Sequence, residues 1–169
     1  MTRPTYRNIG DHTEAVAIDF DPAVISYRQI LDQIWNSHDA TRNYGGVQYR
    51  HVIWYLNDEQ KQQIDQSRDA ISKRLDLPIS KIVTDIEPAV EFTYAEDYHQ
   101  KYSLRAQRDL IADLEGLFDD YIAFTDSATM SRLNGWFGER QTNRVDQFRD
   151  QIVEWELPDL INQRLITLL

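Results

Sequence analysis

Short runs rich in β-branched and aromatic residues alternate along this chain with stretches whose apolar residues recur every three or four positions. That interleaving restricts the chain to an α/β or α+β architecture. In Glu14–Phe20 (EAVAIDF), Val16, Ile18 and Phe20 share one face of a predicted strand, which Asp21-Pro22 interrupts. Ser26 stands three residues before Gln29, a capping-box spacing, and Ile30, Leu31, Ile34 and Trp35 follow at helical intervals. A helix over about Tyr27–Asn36 is expected. The polar stretch Ser37–Val47, with Gly45-Gly46, predicts a loop, and Gln48–Leu56 (QYRHVIWYL) predicts a strand. Asn57 or Asp58 caps a long helix through Arg74, whose apolar stripe is Ile64, Ile71 and Leu75. Lys81–Ile86 predicts a third strand, closed by Glu87-Pro88.

The last third has a different pattern. Leu104, Leu110, Ile111, Leu114, Leu117 and Phe118 predict one further amphipathic helix. A short helix over Asp126–Leu133 should end at Asn134-Gly135, and Val145, Phe148, Ile152 and Trp155 predict another, halted near Pro158 before a final apolar turn.

The 18 Lys and Arg residues against 28 Asp and Glu leave a net charge of −10. That balance disfavours sequence-independent binding to nucleic acid or to an anionic membrane, which needs clustered cations. No apolar run approaches the ~20 residues that span a bilayer, and no secretory signal is visible, so a soluble cytoplasmic protein is expected. The chain contains no cysteine. Within these residues that excludes disulfides, zinc–thiolate and iron–sulfur sites, and a thiol nucleophile.

Four clusters could carry chemistry. Glu14, in Gly10-Asp11-His12-Thr13-Glu14 and shortly after Thr5-Tyr6, could serve as a general acid if burial raised its pKa; otherwise it is a solvated residue beside a turn. In Ser37-His38-Asp39, a histidine at a helix C-terminus could be oriented by the adjacent acid, or could close the helix with local bonds. Tyr49 and His51 of Gln48-Tyr49-Arg50-His51 share one strand face, where Tyr49 is a reactive phenol or a core residue with a satisfied hydroxyl. Tyr94–Gln100 (YAEDYHQ) resembles a ligand cluster without the spacing of a known metal motif, and no metal site is expected.

Taken together and in order, these clusters resemble the MsrA-type peptide methionine sulfoxide reductases. Pro4-Thr5-Tyr6, Gly10–Glu14 and Phe20-Asp21-Pro22 match that family's turn and "GHxE" strand. Ile34-Trp35 to Ser37-His38-Asp39 matches "FWxSHDPT", and Gln48-Tyr49-Arg50 with Ile53 and Tyr55 matches "QYRSxIFY". Thr84–Ala89 and Ala95–Tyr102 match "TEIxPAxxFYxAEDYHQxY". The resemblance covers roughly residues 4–105. It implies a mixed sheet flanked by helices around a ferredoxin-type core (1–105), with residues 106–169 a helical extension packed on the same domain.

The resemblance also implies an activity: reduction of the S epimer of methionine sulfoxide, free or in proteins, as repair of oxidative damage. In that chemistry a cysteine thiolate attacks the sulfoxide sulfur, and an acid with tyrosine hydroxyls protonates the leaving oxygen. By position Glu14 is the acid, Tyr6 and Tyr49 are the phenols, and His38, Asp39 and Tyr44 border the substrate. The family binds no cofactor and takes electrons from thioredoxin or another dithiol. The chain departs from the pattern twice. The Gly-Cys-Phe-Trp segment expected upstream of Pro4 is absent, and Tyr44 of a shortened loop stands where many members carry an aspartate.

Two functions remain open at this level: a reductase impaired for want of its nucleophile, and a catalytically silent module that binds methionine sulfoxide or a peptide. A His/carboxylate hydrolase or metal protein is a distant third. A sheet lacking its first strand exposes an edge that either the extension after residue 105 or a homodimer would cover. Truncation at about Arg105 is therefore expected to give an aggregating product by light scattering, and a soluble, cooperatively melting fragment would refute this.

Overall fold

The computed structural model describes residues 5, 8–43, 45–139 and 144–168. The chain divides into two compact units, Met1–Tyr94 and Ala95–Leu169.

The first unit is built on a strand–helix–strand segment. Helix α1 (Tyr27–Asn36) begins at the expected capping box: the Ser26 hydroxyl accepts from the Gln29 amide at 3.3 Å, and the Gln29 side chain accepts from the Ser26 N–H at 2.9 Å. Strand β1 (Val52–Tyr55) leads into α2 (Asp58–Arg74). Asn57 caps α2, Asp58 and Glu59 lie at its positive end, and Lys73 and Arg74 at its negative end. A 3-10 turn over Ile79–Lys81 precedes β2 (Asp85–Pro88). The strands pair in parallel with Ile53 opposite Ile86, and α2 supplies the crossover that parallel strands require.

The α/β class expected from the sequence holds, while the strands themselves differ from the expectation. Among the described residues the sheet has two strands, both parallel, rather than a larger mixed set. Glu14–Phe20 forms no ladder: its alternation suits a strand, but no strand lies beside it among the described residues, and Val16 is 85% exposed. Gln48 and Tyr49 turn instead of pairing, and β1 starts only at Val52. The predicted third strand is displaced toward Pro88: the 3-10 turn takes in Lys81, and residues 82–84 lie outside the ladder, the Val83 N–H donating to the Ala40 carbonyl at 2.8 Å.

The core of this unit joins Leu31, Trp35, Ala40, Ile53, Ile64, Ile71 and Ile82. Leu75, placed on the same stripe by spacing, is 43% exposed. The fully buried Ser67 lies within α2 and accepts from the Trp35 indole N–H at 2.8 Å, while its own proton goes to the Ile64 carbonyl at 2.7 Å. A small hydroxyl thus receives a large ring and satisfies its only polar atom.

The second unit is helical: α3 (Tyr102–Arg105), α4 (Arg108–Glu115), α5 (Tyr121–Asp126), α6 (Ala128–Glu139), α7 (Val145–Val153) and α8 (Asp159–Thr167). Ten buried residues, among them Leu104, Leu114, Phe124, Met130, Phe148 and Leu165, form its core. The single helix predicted over Leu104–Phe118 is broken at Ala106-Gln107 into α3 and α4. Asn134-Gly135 does not stop α6. The Asn134 side chain instead accepts the Ser103 and Leu104 N–H groups at the start of α3, at 2.9 and 3.1 Å. The Trp136 and Phe148 rings stack at 4.0 Å. Pro158 opens α8 rather than ending the preceding helix, and the expected final turn is a nine-residue helix. Among the described residues no helix is long and apolar enough to cross a membrane.

Replacing Ser67 by Ala leaves a buried indole N–H without an acceptor and should cost ~1–3 kcal/mol in urea unfolding. Adding Trp35→Phe to it should cost less than the sum of the two single substitutions, because both remove the same bond.

Candidate active site

Two hydrogen bonds to the Val47-Gln48 segment set the position of Glu14. Its N–H donates to the Gln48 carbonyl at 3.0 Å, and the neighbouring Thr13 hydroxyl donates to the Val47 carbonyl at 2.8 Å. The tight turn before it relies on Gly10, whose φ of +62 favours glycine, and His12 Nδ1 contacts the Ile9 carbonyl at 3.1 Å. Thr5 and Asn8 exchange backbone hydrogen bonds at 3.3 and 2.9 Å.

With the backbones so held, the side chains converge. The Gln48 carboxamide Nε2 donates to Glu14 Oε1 at 2.9 Å and to the Tyr49 hydroxyl oxygen at 3.0 Å. Glu14 and Tyr49 therefore share one donor group, although they are 35 residues apart in the chain (49 − 14). Both are exposed, Tyr49 by 50%, so neither a buried acid nor a core phenol describes them. Tyr6 and Tyr44 lie outside the described residues.

Arg50 anchors this arrangement to the sheet. Its Nη1 and Nη2 meet the two Glu87 oxygens at 2.5 and 2.7 Å, its Nε donates to Thr13 Oγ1 at 3.1 Å, and Asp85 stands 3.5 Å away. The guanidinium also lies 5.8 Å from the centroid of the Trp54 ring. A bidentate fork of this kind fixes orientation as well as distance. The hydrogen bonds from Arg50 hold the Glu87 carboxyl below its ordinary value, and those to Glu87 raise the guanidinium in turn.

His38 and Asp39 are engaged locally. His38 Nδ1 lies 2.8 Å from the Ile34 carbonyl, which can only accept, so that nitrogen carries the proton. Nε2 then accepts from the hydroxyl of the buried Thr84 at 2.8 Å. The His38 ring meets His51 edge-on with centroids 4.5 Å apart. Desolvation lowers the His38 pKa; the Ile34 carbonyl and Asp39 oppose that, and His51 adds to it. Asp39 Oδ1 accepts from the Thr41 hydroxyl at 2.7 Å and the Thr41 N–H at 2.9 Å, and these bonds, hydroxyl first, depress its carboxyl. This is the geometry of an Asx turn.

The Ala95–Tyr102 motif belongs to the second unit. There Tyr121 donates to the Asp97 carbonyl at 3.1 Å, His99 stands 3.9 Å from Glu96, and Lys101, in the left-handed region at φ +53, turns the chain into α3. Among the described residues no three His, Cys, Asp or Glu side chains gather as a metal site would require. The roles of Gln48, Arg50, Thr13 and Thr84 are not legible from the sequence. Arg50 alternates with Tyr49 and His51, which places it on the other face of an extended segment, and a cation there calls for a partner.

The sequence model of the family described as peptide methionine sulfoxide reductase matches residues 1–115. "Peptide methionine sulfoxide reductase A5" of Arabidopsis thaliana is 33% identical over 157 residues, covering 90% of this chain and 60% of the relative. "Peptide methionine sulfoxide reductase" of Drosophila melanogaster is 42% identical over 155 residues, covering 86% and 57%. "Peptide methionine sulfoxide reductase MsrA" of Methanosarcina acetivorans is 42% identical over 109 residues, covering 59% and 57%. The chain thus spans about three-fifths of the length of these relatives. The plant and insect matches reach 90% and 86% of the chain, so they take in much of the helical second unit, whereas the archaeal match covers only 59%.

Because the His38 pKa is lower folded than unfolded, the folded chain binds fewer protons around its ordinary value of ~6.5. The associated stability is complete above that value and is lost as pH falls through it toward the folded pKa. The urea midpoint should therefore drop between pH 7.5 and 5.5, and His38→Gln should flatten that part of the profile. An unchanged slope would remove the assignment.

Proposed function

Since the chain belongs to the peptide methionine sulfoxide reductase family, we propose that these residues supply the acid–phenol half of a methionine sulfoxide site, with Glu14 and Tyr49 as its described members. The observation that carries this is their common attachment to Gln48, at 2.9 and 3.0 Å. A sulfoxide oxygen is a strong acceptor, and negative charge builds on it as the sulfur is attacked. A carboxylic acid and a phenol placed together donate to that oxygen and stabilise the charge. Tyr6, by its place in the matched motif, is a second phenol. His38 and Asp39 hold the neighbouring loop through Thr84 and Thr41.

Reduction of a sulfoxide to a thioether consumes two electrons and two protons and releases the oxygen as water. In this proposal the protons pass through Glu14 and the phenols, and a pair of thiols supplies the electrons while closing to a disulfide. The 169 residues contain no cysteine, so both thiols, the one that attacks and the one that closes the disulfide with it, come from outside them, as the two thiols of a dithiol of the thioredoxin kind would. No bound cofactor is needed for this balance. Support for the substrate class comes from the names of the relatives and from the donor chemistry of the site; the S epimer and a target within proteins follow the family resemblance.

With dithiothreitol as reductant, the 169-residue chain should show no turnover of a methionine sulfoxide peptide above background, because the nucleophilic step is missing. Calorimetry should still detect peptide binding, weakened several-fold by Glu14→Gln and by Tyr49→Phe. Binding that is absent from the unsubstituted chain, or indifferent to both substitutions, overturns the proposal.

A further inference from the structure

We infer that Gln48 is the positioning residue of the acid–phenol pair: its carboxamide fixes the Glu14 side chain beside Tyr49 and decides which oxygen of Glu14 carries a transferable proton. The inference deepens the sulfoxide-site proposal and rests on it for its functional consequence, while its geometric content can be tested separately.

The contacts allow only one orientation of the amide. A carboxylate oxygen accepts and cannot donate, so the group 2.9 Å from Glu14 Oε1 must be the NH2 end of the amide. That end has two hydrogens, and the second reaches the Tyr49 oxygen at 3.0 Å. While the amide N–H stays bonded to Oε1, the oxygen of Glu14 left open to take up a proton is Oε2. The bond to Tyr49 uses a lone pair of the hydroxyl, and the phenol's own proton is not the one shared in it. Both acidic protons are thereby directed away from Gln48, which itself donates none to the reaction.

The backbone makes the arrangement stiff. The Gln48 carbonyl accepts the Glu14 N–H at 3.0 Å, so residue 48 grips residue 14 by main chain and side chain at once. The adjacent Arg50 ties Thr13 to Glu87 with bonds of 3.1, 2.5 and 2.7 Å. Rotation of Glu14 about its χ angles would therefore break the Gln48 bond without displacing the chain.

Two measurements test this on the 169-residue chain. In 15N-labelled protein, the two Gln48 side-chain amide proton resonances, assigned with Gln48→Leu, should respond separately: one to Glu14→Gln and the other to Tyr49→Phe. Calorimetry with a methionine sulfoxide peptide should then show roughly tenfold weaker binding for Gln48→Leu, which keeps the volume and loses both donors. Gln48→Glu should bind equally weakly at pH 7, where two carboxylates repel, and should recover as the pH is lowered and a protonated carboxyl regains a donor; Gln48→Leu should not recover. Thermal melting of both variants should stay within a few degrees of the unsubstituted chain, since the bonds are exposed.

Amide resonances indifferent to both substitutions overturn the inference, and so does tight peptide binding by Gln48→Leu. Recovery of Gln48→Leu at low pH in parallel with Gln48→Glu overturns it as well, because the donor would then be irrelevant. If the unsubstituted chain fails to bind the peptide, the sulfoxide-site proposal falls, and the amide resonances alone decide whether Gln48 holds the pair.

Discussion

The guanidinium of Arg50 is the fixture on which the first unit's chemistry depends. A half-exposed loop carrying Glu14 has little apolar area to hold it, and its hydrogen bonds compete with water. Arg50 changes that balance by linking Thr13 to Glu87, a residue of β2, through a planar fork that tolerates little rotation. The sheet it joins is itself small, so rigidity has to come from the helices beneath, where α1 and α2 meet around Trp35 and Ser67. Core, sheet, Arg50, Thr13 and Glu14 form one chain of support.

Chemistry at this site is one-sided. In the proposed reading Glu14 and Tyr49 donate to an oxygen leaving a sulfur atom, and none of the 169 residues is a cysteine that could attack that sulfur. The two halves of such a reaction make different structural demands. Proton donors need fixed direction, which in this reading Gln48 and Arg50 provide through their hydrogen bonds. A nucleophile needs a lowered pKa and access, which local electrostatics must provide around the thiol itself. The helical second unit has its own core and its own polar ties, among them Arg105, which pairs with Glu115 at 2.6 Å and lies over Phe124.

How much was legible in the sequence differed by kind of interaction. The span of α1, its capping box and the Asn57 start of α2 follow from residues within four positions of one another, and they appear as expected. Strand assignments fared worse. Val16, Ile18 and Phe20 alternate as a strand should, yet alternation specifies a partner's face and not the partner's presence. Asn134-Gly135 carried a stop signal that α6 ignores, because the Asn134 carboxamide found the open N–H groups of α3 instead. Within the site, residue types were readable and their roles were not: Glu14 and Tyr49 stood out, while Gln48, which joins them, did not.

The order of the motifs along the chain is enough to place it in its family, and helix boundaries follow from caps and charges, since both depend on near neighbours in sequence. Which strands pair, which serine receives the Trp35 ring, and which glutamine brings an acid and a phenol together were settled only by the folded chain. The strand pairs, the Trp35–Ser67 bond and the Gln48–Glu14 bond join residues 32 to 34 positions apart. Their geometry exists only after loop closure has been offset by burial of a shared core.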